Sequence, residues 1–310
     1  MSPPVLSFIF GVIAIFVRSD LRIPSAIYKA MTIYLLFAIG LKGGSLLSLS
    51  TIGEWLLPCC MVLIIGTSIP LVVYPIARKW LNLQNADAAS LAVHYGSVSA
   101  VTFIACQTYL ISAGIRYESY LTALLALMEI PAILMGLMLA KVMDNSKKVS
   151  IRSAFKETLR GSSIFLLIAG LIVGALSTAE NLSKVTPFFV EPFYGVLVLF
   201  LLELGLVAGA QIKLAKELSY KLLIFALLVP CILGPIGLIC AWAIGLSQGG
   251  AILVAVLCGS ASYIAAPAAT RIALPEANPA YTITTALGIT FPFNLCFGIP
   301  LFTIISQILY

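Results

Sequence analysis

Long apolar stretches follow one another along the whole 310-residue chain, and they constrain its fold more than any other feature. Hydrophobic residues make up 61% of the chain and charged residues 10%. Soluble domains average about 45–50% apolar and about 25% charged residues. Because a helix needs about 20 apolar residues to cross a bilayer, we predict an all-α polytopic membrane protein with no room for a further domain outside the membrane.

Apolar runs between charged residues and Gly or Pro predict about ten transmembrane helices. The predicted ranges are 4–18, 24–47, 54–77, 87–114, 118–141, 161–178, 192–212, 219–246, 249–272 and 279–308. Glycine, serine or proline inside several long spans predicts tilted or interrupted helices. The seven cysteines lie within these stretches, where we expect small buried apolar side chains.

Basic residues are distributed unevenly between the two sides of the predicted bundle. Of the 18 Lys and Arg residues, only Lys42, Arg116 and Lys184 fall in or beside even-numbered connections. The other fifteen are Arg18, Arg22, Lys29, Arg78, Lys79, Lys141, Lys147, Lys148, Arg152, Lys156, Arg160, Lys213, Lys216, Lys221 and Arg271. Cytoplasmic loops carry an excess of Lys and Arg, which predicts cytoplasmic odd-numbered connections and both termini outside. The net charge of +6 therefore marks topology and not a nucleic-acid-binding surface.

Short motifs recur in the two halves of the chain at a spacing of 161 to 165 residues. The matching pairs are 39–44 with 204–209, 96–99 with 259–262, Tyr120 with Tyr281 and Pro131 with Pro292. Each half holds five predicted spans, so the second half enters the membrane from the opposite side. We predict two inverted five-helix repeats, residues 1–142 and 161–310, joined by a cytoplasmic linker at 143–160. The alternative is chance recurrence of the small residues through which membrane helices pack.

A Gly-Ser-x-Ser element lies in the middle of predicted spans 4 and 9, and it predicts an interruption in each helix. In transporters, such interruptions direct half-helix N-termini toward an anionic substrate, while freed carbonyls and hydroxyls coordinate a cation. The candidate substrate- and ion-binding residues here are Ser97, Ser99, Thr102, Gln107, Ser260, Ser262, Pro267 and Thr270. The alternative is that the serines bond back to carbonyls of their own helices.

Ionisable side chains within the predicted spans are further candidates, because charge is costly in a bilayer. Glu129 lies beside Pro131, which frees a backbone carbonyl; the carboxyl is a sodium ligand, a proton-exchanging group or a protonated structural group. Glu203 has no repeat partner, and structural and functional roles both stay open. The single histidine, His94, is either a proton relay or a packed side chain. Lys42 either reaches the interface or attracts an anion.

The sequence contains no catalytic triad, phosphate-binding loop or metal-ligand cluster. We therefore expect a transporter without a cofactor, and an intramembrane enzyme is a remote alternative. A channel is also less favoured, because inverted repeats with paired interruptions suit alternating access.

Five sequence motifs occur in order along nearly the whole chain, at 39–44, 96–99, 129–132, 275–281 and 297–302. Together they resemble the SbtA-type sodium-dependent bicarbonate transporter family. The resemblance implies a bacterial inner-membrane symporter of sodium and bicarbonate. It also implies that the two repeats intertwine into a core and a gate domain, and that the protein assembles as a homotrimer.

The resemblance further implies that Ser97–Ser99 and Ser260–Ser262 form the substrate and sodium region. The family usually has an aspartate after the second pair of serines, where this chain has Tyr263. A PII-like regulatory protein is a partner known in the family, whose cyanobacterial members have a longer central loop than 143–160. Another small anion or carboxylate, driven by sodium or by protons through His94 and Glu129, is the open alternative.

Overall fold

The computed structural model describes residues 3–47, 52–118, 120–144, 160–215 and 218–310. Of the described residues, 83% are helical and none lies in a strand, which confirms the all-α prediction. The helices are α1 (Pro3–Phe16), α2 (Ser25–Leu47), α3 (Ile52–Lys79), α4 (Asn85–Gly96), α5 (Ala100–Ser112), α6 (Leu121–Asp144), α7 (Ser162–Leu176), α8 (Ala179–Phe189), α9 (Phe193–Ala215), α10 (Tyr220–Ala243), α11 (Gln248–Gly259), α12 (Ala265–Ala273) and α13 (Pro279–Leu309). Most of the predicted linker, residues 145–159, lies outside the described residues.

Seven helical segments in the described part are long and apolar enough to cross a membrane. They are Ser25–Ser45, Gly53–Lys79, Asn85–Ser112, Leu121–Val142, Phe193–Leu214, Tyr220–Ala243 and Pro279–Leu309. Shorter apolar helices occupy predicted spans 1, 6 and 9, so the count of ten stays a prediction. Large apolar side chains such as Ile64, 67% exposed, cover the outer helix faces, as expected of a multi-pass membrane protein.

The cysteine prediction was only partly right. Cys59, Cys106 and Cys258 are buried, whereas Cys60 and Cys231 are exposed. An apolar sequence context cannot separate the two cases, because apolar side chains of a membrane protein are equally suited to the core and to lipid.

Helix α8 lies in a segment that the sequence predicted to be a plain connection between spans 6 and 7. Its apolar end contacts α2, where the Tyr34 hydroxyl donates a hydrogen bond to the Phe188 carbonyl at 2.7 Å. Its polar face carries an exposed ion pair between Glu180 and Lys184, at 3.3 Å. This helix has only eleven residues, several of them polar, and it contains Pro187, so it does not resemble a membrane span and the sequence did not predict it.

Close backbone contacts between glycines hold two helix pairs together, α1 with α9 and α2 with α7. A Cβ on Gly40 would lie 2.5 Å from the Leu167 carbonyl oxygen and 3.0 Å from the Gly170 Cα. Gly11 and Gly205 approach in the same way, since a Cβ on either would lie 2.9 Å from the Cα of the other. Such approach is how membrane helices gain packing energy without a hydrophobic effect between them.

The two interruptions lie in the interior of the bundle. The chain leaves the helix after Gly96 and re-enters it at Ala100; it leaves again after Gly259 and re-enters at Ala265. Helix α4 packs against α3 and α6, and α11 packs against α10. Polar backbone that faces lipid would be costly, and these neighbours shield the interruptions from it.

We expect Gly40→Val to destabilise the protein, because the new side chain meets the backbone of α7, which cannot move aside as a flexible side chain would. Overpacking of this kind costs about 1–3 kcal/mol. The measurement is the thermal unfolding midpoint of purified protein in detergent. Gly53→Val is the control, since a Cβ there has nothing within 4 Å. Equal losses in both variants would contradict close α2–α7 packing.

Candidate functional site

Hydrogen bonds join the two interruptions to each other. The Ser99 N–H donates to Ser260 Oγ at 3.0 Å, and the Ser262 N–H donates to the His94 carbonyl at 2.8 Å. In each bond, the donor is a backbone N–H of one interruption. The acceptor belongs to the other interruption, in the case of Ser260, or to the helix that leads into it, in the case of His94. These two buried backbone donors are therefore satisfied without water.

Serine side chains accept hydrogen bonds from the first turns of the helices that follow the interruptions. Ser99 Oγ accepts from the Thr102 N–H at 3.2 Å and from the Thr102 hydroxyl at 2.8 Å. Ser262 Oγ accepts from the Ala266 N–H at 3.2 Å. Ser99 is the N-cap of α5, whereas Ser262 lies two residues before the N-cap position of α12 and pairs with the N–H of its second residue. Ser260 instead bonds back to its own helix, since its hydroxyl donates to the Leu257 carbonyl at 3.1 Å.

A small cavity of about 10 Å³, with room for about one water molecule, lies between the interruptions, and we name it the break cavity. Its polar lining comes from Ser99, Ser262, Tyr263 and Glu129. The first residue of α5 and the residue before α12 also line it, so two helix N-termini with partial positive charge face one space. None of the described residues that line it is basic.

Glu129 brings a carboxyl group from α6 to this site. The side chain is 6% exposed, and Ser97 Oγ donates to its Oε1 at 3.4 Å. Six predicted site residues therefore come together at the interruptions: Ser97, Ser99, Thr102, Glu129, Ser260 and Ser262. Glu203 of α9 lies elsewhere and does not line the break cavity.

Three predicted site residues lie in other cavities. At about 1.5 Å per residue, Gln107 lies about 10 Å along α5, and Thr270 lies about 8 Å along α12, beyond Pro267. Gln107 of α5 lines a cavity of about 200 Å³, the Lys42 cavity, and donates to Thr122 Oγ1 at 3.3 Å. Thr270 of α12 lines a third cavity of about 120 Å³, together with Pro267, His94 and Arg271. We name it the Arg271 cavity.

Two further polar groups at the interruptions did not emerge as candidates from the sequence. The Tyr263 hydroxyl is buried with no hydrogen-bond partner among the described residues, and its ring packs edge-on against Phe291. Asn294 Nδ2 donates to the Gly259 carbonyl at 2.8 Å and so pairs the last carbonyl of α11. An amide within the last apolar run was the available signal for Asn294.

The chemistry of the site is that of hard oxygen donors. Hydroxyls, helix-end carbonyls and one carboxyl group suit an alkali cation better than a transition metal. Within the described ranges, no three His, Cys, Asp or Glu side chains form a group that could hold a metal ion.

Comparison with known proteins agrees with the motif resemblance. The chain matches the family model of the Na+-dependent bicarbonate transporter superfamily over residues 3–307. A search of the curated proteins finds no match. Because the matched region covers nearly the whole chain, the protein belongs to the Na+-dependent bicarbonate transporter superfamily.

Proposed function

We propose that this protein is a secondary active transporter that carries bicarbonate together with sodium by alternating access. The observation that carries the proposal is the meeting of two half-helix N-termini and one carboxyl group at the break cavity. Helix N-termini attract anions, and freed carbonyls and carboxylates attract cations. Membership of a Na+-dependent bicarbonate transporter superfamily supports the same pair of solutes.

The anion in this proposal is held by dipoles and hydroxyls. Bicarbonate is a small planar monoanion, and Ser99, Ser262 and Tyr263 present hydroxyl groups around the two helix N-termini. A buried arginine would pair strongly with the anion and slow its release, so a lining without basic side chains suits a carrier.

Sodium in this proposal binds beside Ser97 and Glu129, where the 3.4 Å contact already joins a hydroxyl to a carboxyl oxygen. Glu129 supplies the negative charge that an aspartate supplies in relatives with that residue at position 263. The cation then completes the positive field that captures the anion. One sodium per bicarbonate is electroneutral, and a tenfold sodium gradient supplies about 1.4 kcal/mol.

The proposed architecture is two inverted repeats of five spans, residues 1–142 and 161–310. Two glycine contacts support it. Gly40 of the first repeat corresponds to Gly205 of the second in the sequence. If Gly11 likewise corresponds to Gly170, the Gly40–Gly170 contact and the Gly11–Gly205 contact are the same contact made with the two repeats interchanged. The two half-helices that lead into the interruptions also end in matching contacts. The last residue of one, Gly96, contacts Pro70, and the last residue of the other, Gly259, contacts Pro230.

The charge distribution supports an orientation for this architecture. We place the Arg271 cavity on the cytoplasmic side and the Lys42 cavity, with both termini, on the outer side of an inner membrane. Gln107 and Thr270 occupy equivalent positions in the two repeats, so each half contributes one entrance. The homotrimer and the PII-like partner stay predictions from the resemblance.

We expect proteoliposomes to accumulate labelled bicarbonate when an inward sodium gradient is applied at about pH 8.5. An equal potassium gradient and empty liposomes are the controls. Accumulation under both cation gradients would contradict sodium coupling. If sodium drives no accumulation by folded, inserted protein, Tyr263 in place of an aspartate points to another small carboxylate or to proton coupling.

We expect Ser99→Ala and Ser262→Ala each to lower the initial rate of uptake. Each removes a hydroxyl from the break cavity and a cap worth about 1 kcal/mol from a half-helix. The matched control is Ser68→Ala, because Ser68 is an exposed serine of α3 whose hydroxyl donates to the Ile64 carbonyl. Wild-type rates in both site variants would rule out the break cavity as the binding site.

We expect Glu129→Gln to raise the sodium concentration for half-maximal uptake at least about tenfold, because a charge-assisted contact contributes about 1.5–3 kcal/mol. The assay is initial bicarbonate uptake across a sodium titration. Glu203→Gln is the control, since it removes a carboxyl group from a helix without touching the break cavity. An unchanged sodium dependence in Glu129→Gln would leave Glu129 a structural role only.

A further inference from the structure

The Arg271 cavity is separate from the break cavity, and five of its lining residues have polar side chains. Ser90 and His94 of α4, Thr270 and Arg271 of α12, and Thr282 of α13 all line it. No step of the proposed mechanism has used His94 or Arg271. The question is which ligand these side chains suit.

His94 presents a hydrogen-bond acceptor with nothing to accept from. Its Nδ1 lies 2.7 Å from the Ser90 carbonyl oxygen, and a carbonyl can only accept, so Nδ1 carries the proton. In the neutral ring Nε2 is therefore an acceptor. His94 is only 1% exposed, and Nε2 has no partner among the described residues. A buried polar atom without a partner costs about 1–3 kcal/mol, so a ligand that brings a donor is favoured.

Arg271 contributes the opposite requirement, because a guanidinium has five donors and no acceptor. It is exposed at the cavity, and no ion pair to it occurs within the described ranges. The nearby acidic residues Asp87 and Glu276 do not line the cavity. Asp87 Oδ1 already accepts from the Asn278 N–H at 2.7 Å. Arg271 is therefore available to an anion.

We propose that the Arg271 cavity is a second binding station for bicarbonate, an inference that rests on the proposed function. Bicarbonate has two oxygens that share a negative charge and one O–H group. The charged oxygens accept from Arg271, and the O–H donates to His94 Nε2. Formate and chloride satisfy Arg271 but bring no donor to His94, so the pair selects an anion that carries its own proton.

The backbone of His94 connects this station to the interruptions. The His94 carbonyl accepts from the Ser262 N–H at 2.8 Å, while its side chain lines the Arg271 cavity. Helix α12 likewise begins at the break cavity and carries Thr270 and Arg271 to the second one. The anion thus has a next binding position on the proposed cytoplasmic side after it leaves the break cavity.

The test uses the fact that His94 is the single histidine of the chain. The full chain, labelled with ¹⁵N-histidine and held in detergent at pH 8, gives one pair of ring nitrogen resonances. Titration with bicarbonate is expected to shift the Nε2 resonance upfield, as accepting a hydrogen bond does. Formate at the same concentration and ionic strength is expected to cause no more shift than chloride.

Variants separate charge recognition from general effects. Arg271→Gln is expected to raise the bicarbonate concentration for the half-maximal shift at least about tenfold, since a charge-assisted contact is lost. Arg22→Gln removes an exposed arginine outside the cavity and is expected to titrate like the wild type. If Arg271→Gln does not fold, the comparison of bicarbonate with formate on the wild-type protein still decides the matter.

An equal shift with formate, or no shift at bicarbonate concentrations that saturate uptake, would overturn the second station. Uptake is scored separately in proteoliposomes of the same preparation. A bicarbonate-specific shift without sodium-driven uptake would support the station and refute the transport proposal. Sodium-driven uptake without any bicarbonate-dependent shift of the His94 resonance would support the transport proposal and refute the second station.

Discussion

Every backbone N–H and C=O group inside a bilayer must find a partner within the protein, and the structure depends on how the two interruptions meet this constraint. Neither interruption satisfies all of its own groups. The Ser99 N–H uses Ser260 of the other interruption, and the Ser262 N–H uses the carbonyl of His94. Asn294 pairs the carbonyl that ends α11. The site exists because each interruption depends on the opposite half of the chain.

This mutual pairing explains the surrounding bundle. Helices α3, α6 and α10 pack around the interrupted segments, while the glycine contacts of α1 with α9 and α2 with α7 form tight pairs alongside. Within the described part, four buried side-chain atoms have no hydrogen-bond partner: the Tyr263 hydroxyl, His94 Nε2, Glu203 Oε2 and Asn294 Oδ1. Tyr263 lines the break cavity and His94 lines the Arg271 cavity, whereas Glu203 and Asn294 line neither. Unpaired polar atoms in a bilayer are costly, so a ligand that pairs with Tyr263 or His94 is favoured.

The parts of the site that the sequence predicted are those where a local signal is strong. Gly-Ser-x-Ser within an apolar run breaks a helix, and a carboxyl group within such a run turns inward, as Glu129 does. The grouping of Gln107 and Thr270 with the serines rested on proximity along the chain. Helical rise carries Gln107 about 10 Å and Thr270 about 8 Å from the start of its half-helix, and into a different cavity.

The sequence by itself determined the membrane class, the helical content and the positions of the interruptions, because apolar run length and helix-breaking residues act locally. Only the tertiary structure decided which groups meet. It separated buried Cys59 from exposed Cys60, formed α8, and turned Tyr263 and His94 toward cavities. Apolar residues suit both core and lipid, so hydrophobicity cannot assign a helix face in a bilayer. Contact between distant backbone segments makes that assignment.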